Sequence, residues 1–150
     1  MLGRRVAAAA CAVAVAGGLA APAQAAAKPA KVRIYKVYYD SPGSDRGGNA
    51  SLNKEWVALK NYGGKSKDLY RYTVRDRSGH VYRFGHVKLK PGKRIYVHTG
   101  KGKNGKVHVY QKRGWYVWNN TSDAATLRTR YGTKTDVCSW SKKGKGYKYC

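Results

Sequence analysis

The spacing most suggestive of chemistry lies in "GKGKNGK", residues 100–106. Gly100, four residues, then Gly105-Lys106 fit the phosphate-loop pattern, in which backbone amides cradle phosphates and the lysine reaches over them. Val107 follows, so the hydroxyl that would hold Mg²⁺ is missing. "KVHVY" also reads as a strand where the motif needs a helix N-terminus. The segment is read instead as a glycine-rich hairpin loop offering Lys101, Lys103 and Lys106 to an anionic partner. Histidines 80, 86, 98 and 108 are the second candidate. His98 and His108 would meet if strands 95–99 and 106–111 pair in adjacent registers, yet no close Cys, Asp or Glu set completes a metal shell. Asp40 and Asp45 flank the turn "DSPGSD" and could hold Ca²⁺ with backbone carbonyls, but they fall short of the oxygen count that ion takes. No metal site and no cofactor is expected.

Catalysis finds little support. General acid–base work needs two carboxylates or a His–carboxylate dyad, and the 7 Asp+Glu stand singly among 31 Lys+Arg. No serine sits in a nucleophile elbow. A His–Asp pairing could arise only through the fold, and the expectation is a protein that is not an enzyme.

The N-terminal stretch "MLGRRVAAAACAVAVAGGLAAPAQA" has a basic start, an Ala/Val run and small residues at 23–25. It reads as a signal peptide over 1–25, too short and too weakly apolar for a stable span. A retained anchor is the alternative, disfavoured because Ala-rich runs insert poorly. Cys11 leaves with it. Residues 26–30 are a short linker and 31–150 a single domain. Losing Arg4 and Arg5 lowers the net charge from +24 to +22, a statement about solubility and anionic partners rather than fold. Cys138 and Cys150 remain, and an exported even pair favours a disulfide. A loop centred on Gly144 would let 138 and 150 face each other, which predicts a disulfide-closed C-terminal hairpin.

The elements carrying these residues are strands. Eighteen glycines, thirteen tyrosines and short Val/Ile/Tyr/Trp runs read as all-β. Strands are expected over 31–39, 55–61, 69–76, 80–84, 95–99 and 106–111, with a hairpin over 125–140 turning near Tyr131-Gly132. Residues 46–53 are read as loop. In "EWVALKN", Val57 and Leu59 share one face, and Trp56, Ala58 and Lys60 the other. Turns at this spacing mean a sandwich or barrel.

The ordered pieces resemble the lamin tail domain family. Asn53, Glu55, Trp56, Val57, Leu59 and Asn61 match its N-x-E-W-V-x-L-x-N strand. Leu89, Pro91 and Gly92 match its L-x-P-G turn; Trp118, Asn119, Asn120, Asp123 and Leu127 match its W-N-N-x-x-D-x-x-x-L corner. The resemblance covers about residues 31–140 and implies an immunoglobulin-like β-sandwich without catalytic machinery. In animals such domains end nuclear intermediate-filament chains and bind DNA, chromatin and envelope partners. In bacteria they accompany exported hydrolases as tethering modules. With no coiled-coil rod here, filament assembly does not carry over. The corner is expected to be structural, with Trp118 closing the core and Asn119, Asn120, Thr121 and Asp123 satisfying turn backbone.

The resulting expectation is an exported, secreted or cell-surface module that binds an anionic polymer: extracellular DNA, anionic cell-wall polymer or acidic polysaccharide. Its contacts would be Lys101, Lys103 and Lys106 in one loop and Lys142, Lys143 and Lys145 in the other, with a sheet face such as Arg71, Arg75 and Arg83 as the fallback. Aromatics between cations in "WSKKGKGYKYC" add ring faces to that charge, whereas "YRYTVRDR" reads as ordinary strand composition. The alternatives are a structural or adhesion module with a protein partner and a small exported hydrolase.

Overall fold

A computed structural model describes residues 30–142 and 144–150. The expected signal peptide, residues 26–29 of the linker and Lys143 lie outside the described residues. In chain order the elements are β1 (Val32–Tyr38), α1 (Asn49–Leu52), β2 (Trp56–Asn61), β3 (Lys67–Asp68), β4 (Thr73–Arg75), β5 (Val81–Arg83), β6 (Lys88–Leu89), β7 (Arg94–His98), β8 (His108–Tyr110), β9 (Asp123–Arg128), β10 (Lys134–Trp140) and β11 (Tyr147–Tyr149). One sheet runs β11-β1-β2-β7-β8, the other β10-β9-β4-β5, and β3-β6 form a small ribbon. The two large sheets pack as an immunoglobulin-like β-sandwich. Among the described residues no helix is long and apolar enough to cross a membrane.

Alternation sets the layers, because successive side chains on a strand point to opposite faces. Val57 and Leu59 of β2 are fully buried against Val74 and Leu127 of the facing sheet, while Trp56 and Lys60 look outward, as their spacing predicts. Ala58 is outward too, yet buried under its neighbours. Trp140 stacks on Tyr39 at 4.6 Å between ring centroids and closes one side of the core.

Four expectations need correction. Residues 46–53 hold the single helical turn α1. The strand over 69–76 is broken: Arg71 adopts φ +61°, and a left-handed residue cannot continue a strand, so only 73–75 pair in the sheet. The segment 100–105 is not a hairpin loop, because β7 and β8 pair in parallel, with Tyr96 beside His108 and His98 beside Tyr110. Asn49 and Asn53 amides donate to the Lys101 carbonyl and guide the chain back toward the start of β7.

The fourth concerns the C-terminus. The Cys138–Cys150 disulfide is present, but β10 and β11 do not pair with each other as a hairpin would. After Trp140 the chain crosses to the opposite sheet, where β11 pairs with β1. Gly144 and Gly146 both take positive φ in that crossing, and a Cβ on Gly146 would come within 3.1 Å of Asp40. The disulfide therefore ties the two sheets together.

Candidate functional site

The acidic residues are engaged within the protein. Glu55, fully buried at the start of β2, accepts from the amides of Trp118 at 2.9 Å and Val117 at 3.1 Å. Burial pushes its carboxyl up to about 7, while the hydrogen bonds from the Val117 and Trp118 amides pull the other way. Asp123 accepts from the amides of Arg77, Asn119 and Ala124. Asp76 takes the amides of Gly79 and His80, Asp136 those of Ile34 and Val137, and Asp68 that of Tyr70. The Asn120 amide bridges Asp40 and Asp45 at 3.0 and 3.1 Å. Each of the seven carboxylates thus accepts internal hydrogen bonds, six of them at turns or loops and Asp136 between β10 and β1.

The corner over 118–127 is built as its motif predicts. Trp118 is buried, and the Asn119 side-chain oxygen accepts from Thr121 and Ser122. The Trp140 indole donates to the Asn119 carbonyl. Two His–Asp dyads do form, His80–Asp76 at 2.6 Å and His86–Asp68 at 3.1 Å. The first sits in the β4–β5 turn, and the second stacks His86 on Tyr70. Among the described residues no hydroxyl or thiol is hydrogen-bonded to either ring.

His98 and His108 meet, with Nε2 to Nδ1 at 2.9 Å. His98 Nδ1 lies 2.7 Å from the Asn53 carbonyl and must donate to it. Its Nε2 therefore accepts from His108, which fixes both tautomers. Burial, and secondarily the His108 neighbour, lower the His98 pKa, with the Asn53 bond opposing. Among the described residues no group of three or more His, Cys, Asp or Glu could hold a metal.

The loop lysines do not form one patch. Lys101 sits at the His98 end of β7, pinned through its backbone amide and carbonyl to Asn49. Lys106 lies toward the opposite end, lining a groove of about 600 Å³ with Lys88, Lys90, Lys93 and Arg94. Lys103 is exposed between them. Lys142 and Lys145 are exposed on the crossing between β10 and β11, at the opposite edge of the five-stranded sheet from β8.

A cluster made of arginines alone is on the outer face of the four-stranded sheet. Arg83 on β5, Thr73 on β4 and Arg128 on β9 stand in register across three strands. With Arg71, Arg75 and Arg130 they line a shallow concavity of about 310 Å³ that no acidic residue lines. The left-handed turn at Arg71 is what brings that residue beside the strand arginines. Between described residues, the only ion pairs are the two His–Asp contacts, so no lysine or arginine here has a carboxylate within reach. Sequence reading named Arg71, Arg75 and Arg83 only as a fallback. Arg128 and Arg130 were missed, since β9 joins β4 only through the tertiary fold. A second outward face, on the five-stranded sheet, carries rings among its cations and was also missed.

No curated protein matches the chain. A family model does: that of the Lamin Tail Domain matches residues 25–142. That match takes in every strand of both sheets except β11, together with the 118–127 corner, and the chain belongs to the lamin tail domain family.

Proposed function

We propose that the protein is an exported, non-catalytic module that binds an anionic polymer, with the arginine face of the four-stranded sheet as its main contact. The observation that carries this reading is the sorting of charge. The acids are spent on internal hydrogen bonds, while Arg71, Arg75, Arg83, Arg128 and Arg130 share one concavity without a counter-ion. Guanidinium groups present fixed forks that match phosphate, carboxylate or sulfate oxygens in pairs. Such a cluster repels itself until an anion enters it. The lysines of the two glycine-rich loops add long-range attraction around that contact.

The test is the salt dependence of binding to a short mixed-sequence DNA duplex, with an anionic wall polymer and an acidic polysaccharide as parallel probes. Neutralising about five phosphates gives a slope of log K against log salt of about −4.5. Changing the five arginines to serine should flatten it. A salt-independent affinity for every probe would overturn the reading. It would favour a protein partner instead, an alternative supported by Trp115, which is 61% exposed on a loop.

A further inference from the structure

The outer face of the five-stranded sheet is made of rings. Tyr147 on β11 meets Tyr38 on β1 at 5.6 Å between centroids, Tyr38 meets Trp56 on β2 at 5.5 Å, and Trp56 meets Tyr96 on β7 at 5.2 Å. His108 on β8 continues the row, 5.3 Å from Tyr96. The row thus crosses every strand of the sheet. Cations are threaded through it. Lys36 Nζ lies 3.9 Å from the Tyr147 centroid and 5.7 Å from that of Trp56. Arg94 lies 3.9 Å over Tyr35, Arg33 4.3 Å over Tyr62, and Lys60 4.8 Å from the same Tyr62 ring. None of the five strands contains an acidic residue.

Cross-strand ring pairs stabilise a sheet, and that accounts for some of the row. It does not account for a solvated face whose outward residues are almost all rings or cations, where small polar and mixed-charge residues ordinarily stand. Rings interleaved with cations are the chemistry by which a protein surface holds a flexible anionic chain that exposes flat groups of its own.

We propose that this face is a second anionic-polymer site, and that its ligand is single-stranded nucleic acid. Bases lie among Tyr38, Trp56 and Tyr96, and phosphates meet Arg33, Lys36, Lys60 and Arg94. A duplex keeps its base faces stacked inside and can use only the arginine face. The two faces lie on opposite sides of the hydrophobic core, so one domain holds two single strands but one duplex. The inference rests on the polyanion reading above, and it deepens that reading by separating two kinds of chain.

The experiment measures stoichiometry and affinity at fixed low salt for a short single strand and for the matching duplex. The expected result is two single strands and one duplex per domain. The double variant Tyr38→Ala/Trp56→Ala should reduce single-strand stoichiometry to one, with a loss of about tenfold or more at the affected site, and leave duplex affinity unchanged. If the ring variant does not fold, Arg33→Gln/Lys60→Gln/Arg94→Gln carries the same comparison from solvent-facing positions. Equal stoichiometry for the two probes, or an unchanged single-strand affinity in the variants, overturns the inference. An acidic oligosaccharide that displaces the single strand only from the wild-type ring face, and more tightly, overturns the occupant. Single-strand binding without duplex binding would sink the arginine-face reading while this site stands.

Discussion

The corner around Glu55 and Asp123 and the arginine face of the four-stranded sheet are opposites in sign and in use. In the corner the two carboxyl groups, Glu55 and Asp123, are buried and met by backbone amides. On the face every charge is positive, in contact with water and met by no carboxylate among the described residues, although Arg128 donates to the Gly132 carbonyl and Arg71 and Arg130 lie over Tyr70 and Tyr131. Burying a carboxylate is costly unless hydrogen bonds compensate it, and Glu55 and Asp123 each receive at least two. Leaving five guanidinium groups close together costs less in water but stores repulsion that an anion relieves. The acids are therefore legible as fasteners and the bases as the surface on which the proposed binding rests.

The contrast predicts that corner variants lose stability and keep binding, while face variants do the reverse. The largest effect is expected for Trp118→Ala. Truncating a buried Trp costs about 3–5 kcal/mol, a large share of a small domain's stability, and thermal melting reads it directly. Molecules that remain folded should bind polyanion as wild type does. A wild-type melting temperature would place the corner among the exposed, functional surfaces and erase the distinction.

The Glu55 carboxyl has its folded pKa raised to about 7, above its unfolded value. Between the two values the native state holds a proton that the unfolded chain has released. This group's contribution to stability is therefore complete below about pH 4.3 and disappears as pH rises through about 7, a loss on the order of 3 kcal/mol. Melting against pH should show that decline in wild type and not in Glu55→Gln; identical profiles would remove the buried titration. Reducing the Cys138–Cys150 bond should cost about 3 kcal/mol in the chain-entropy model, read by melting with and without reductant. The five-arginine variant should melt within about 0.5 kcal/mol of wild type, as surface changes do, while its salt slope collapses. Smallest of all, serine at Lys101, Lys103, Lys106, Lys142, Lys143 and Lys145 should weaken binding without moving the melting temperature. A larger loss there than on the arginine face would return the contact to the loops.

Short-range chemistry was readable from the chain. The strand with Glu55 and Trp56, the Pro91-Gly92 turn, the Trp118 corner and the cysteine pair all appear where their local patterns put them. What failed was choice of partner strand. Nothing near Gly144 says that β11 joins β1 rather than β10, and nothing in "GKGKNG" says that the chain returns parallel. The two proposed contact faces were hidden for the same reason. Tyr38, Trp56, Tyr96 and His108 are single residues on four strands, and only sheet order makes them neighbours. A linear scan finds clusters such as 139–149, of which Trp140 turned inward and Tyr147 and Tyr149 joined the ring face. Alternation along 94–98 and 56–60 carried the missing signal, since the outward positions there are Arg94, Tyr96, His98, Trp56 and Lys60.

The bond between Cys138 and Cys150 also has a mechanical meaning. A pull applied at Cys150 enters β10 through a covalent link and β1 through the short ladder of β11. Tension is thereby divided between both sheets, and β11 cannot be unzipped from β1 while the sulfur bridge limits its travel. Forced unfolding follows the unfolding rate rather than the equilibrium stability. An extension trace should accordingly show one cooperative rupture with the bridge intact and an earlier, low-force release of β11 once it is reduced.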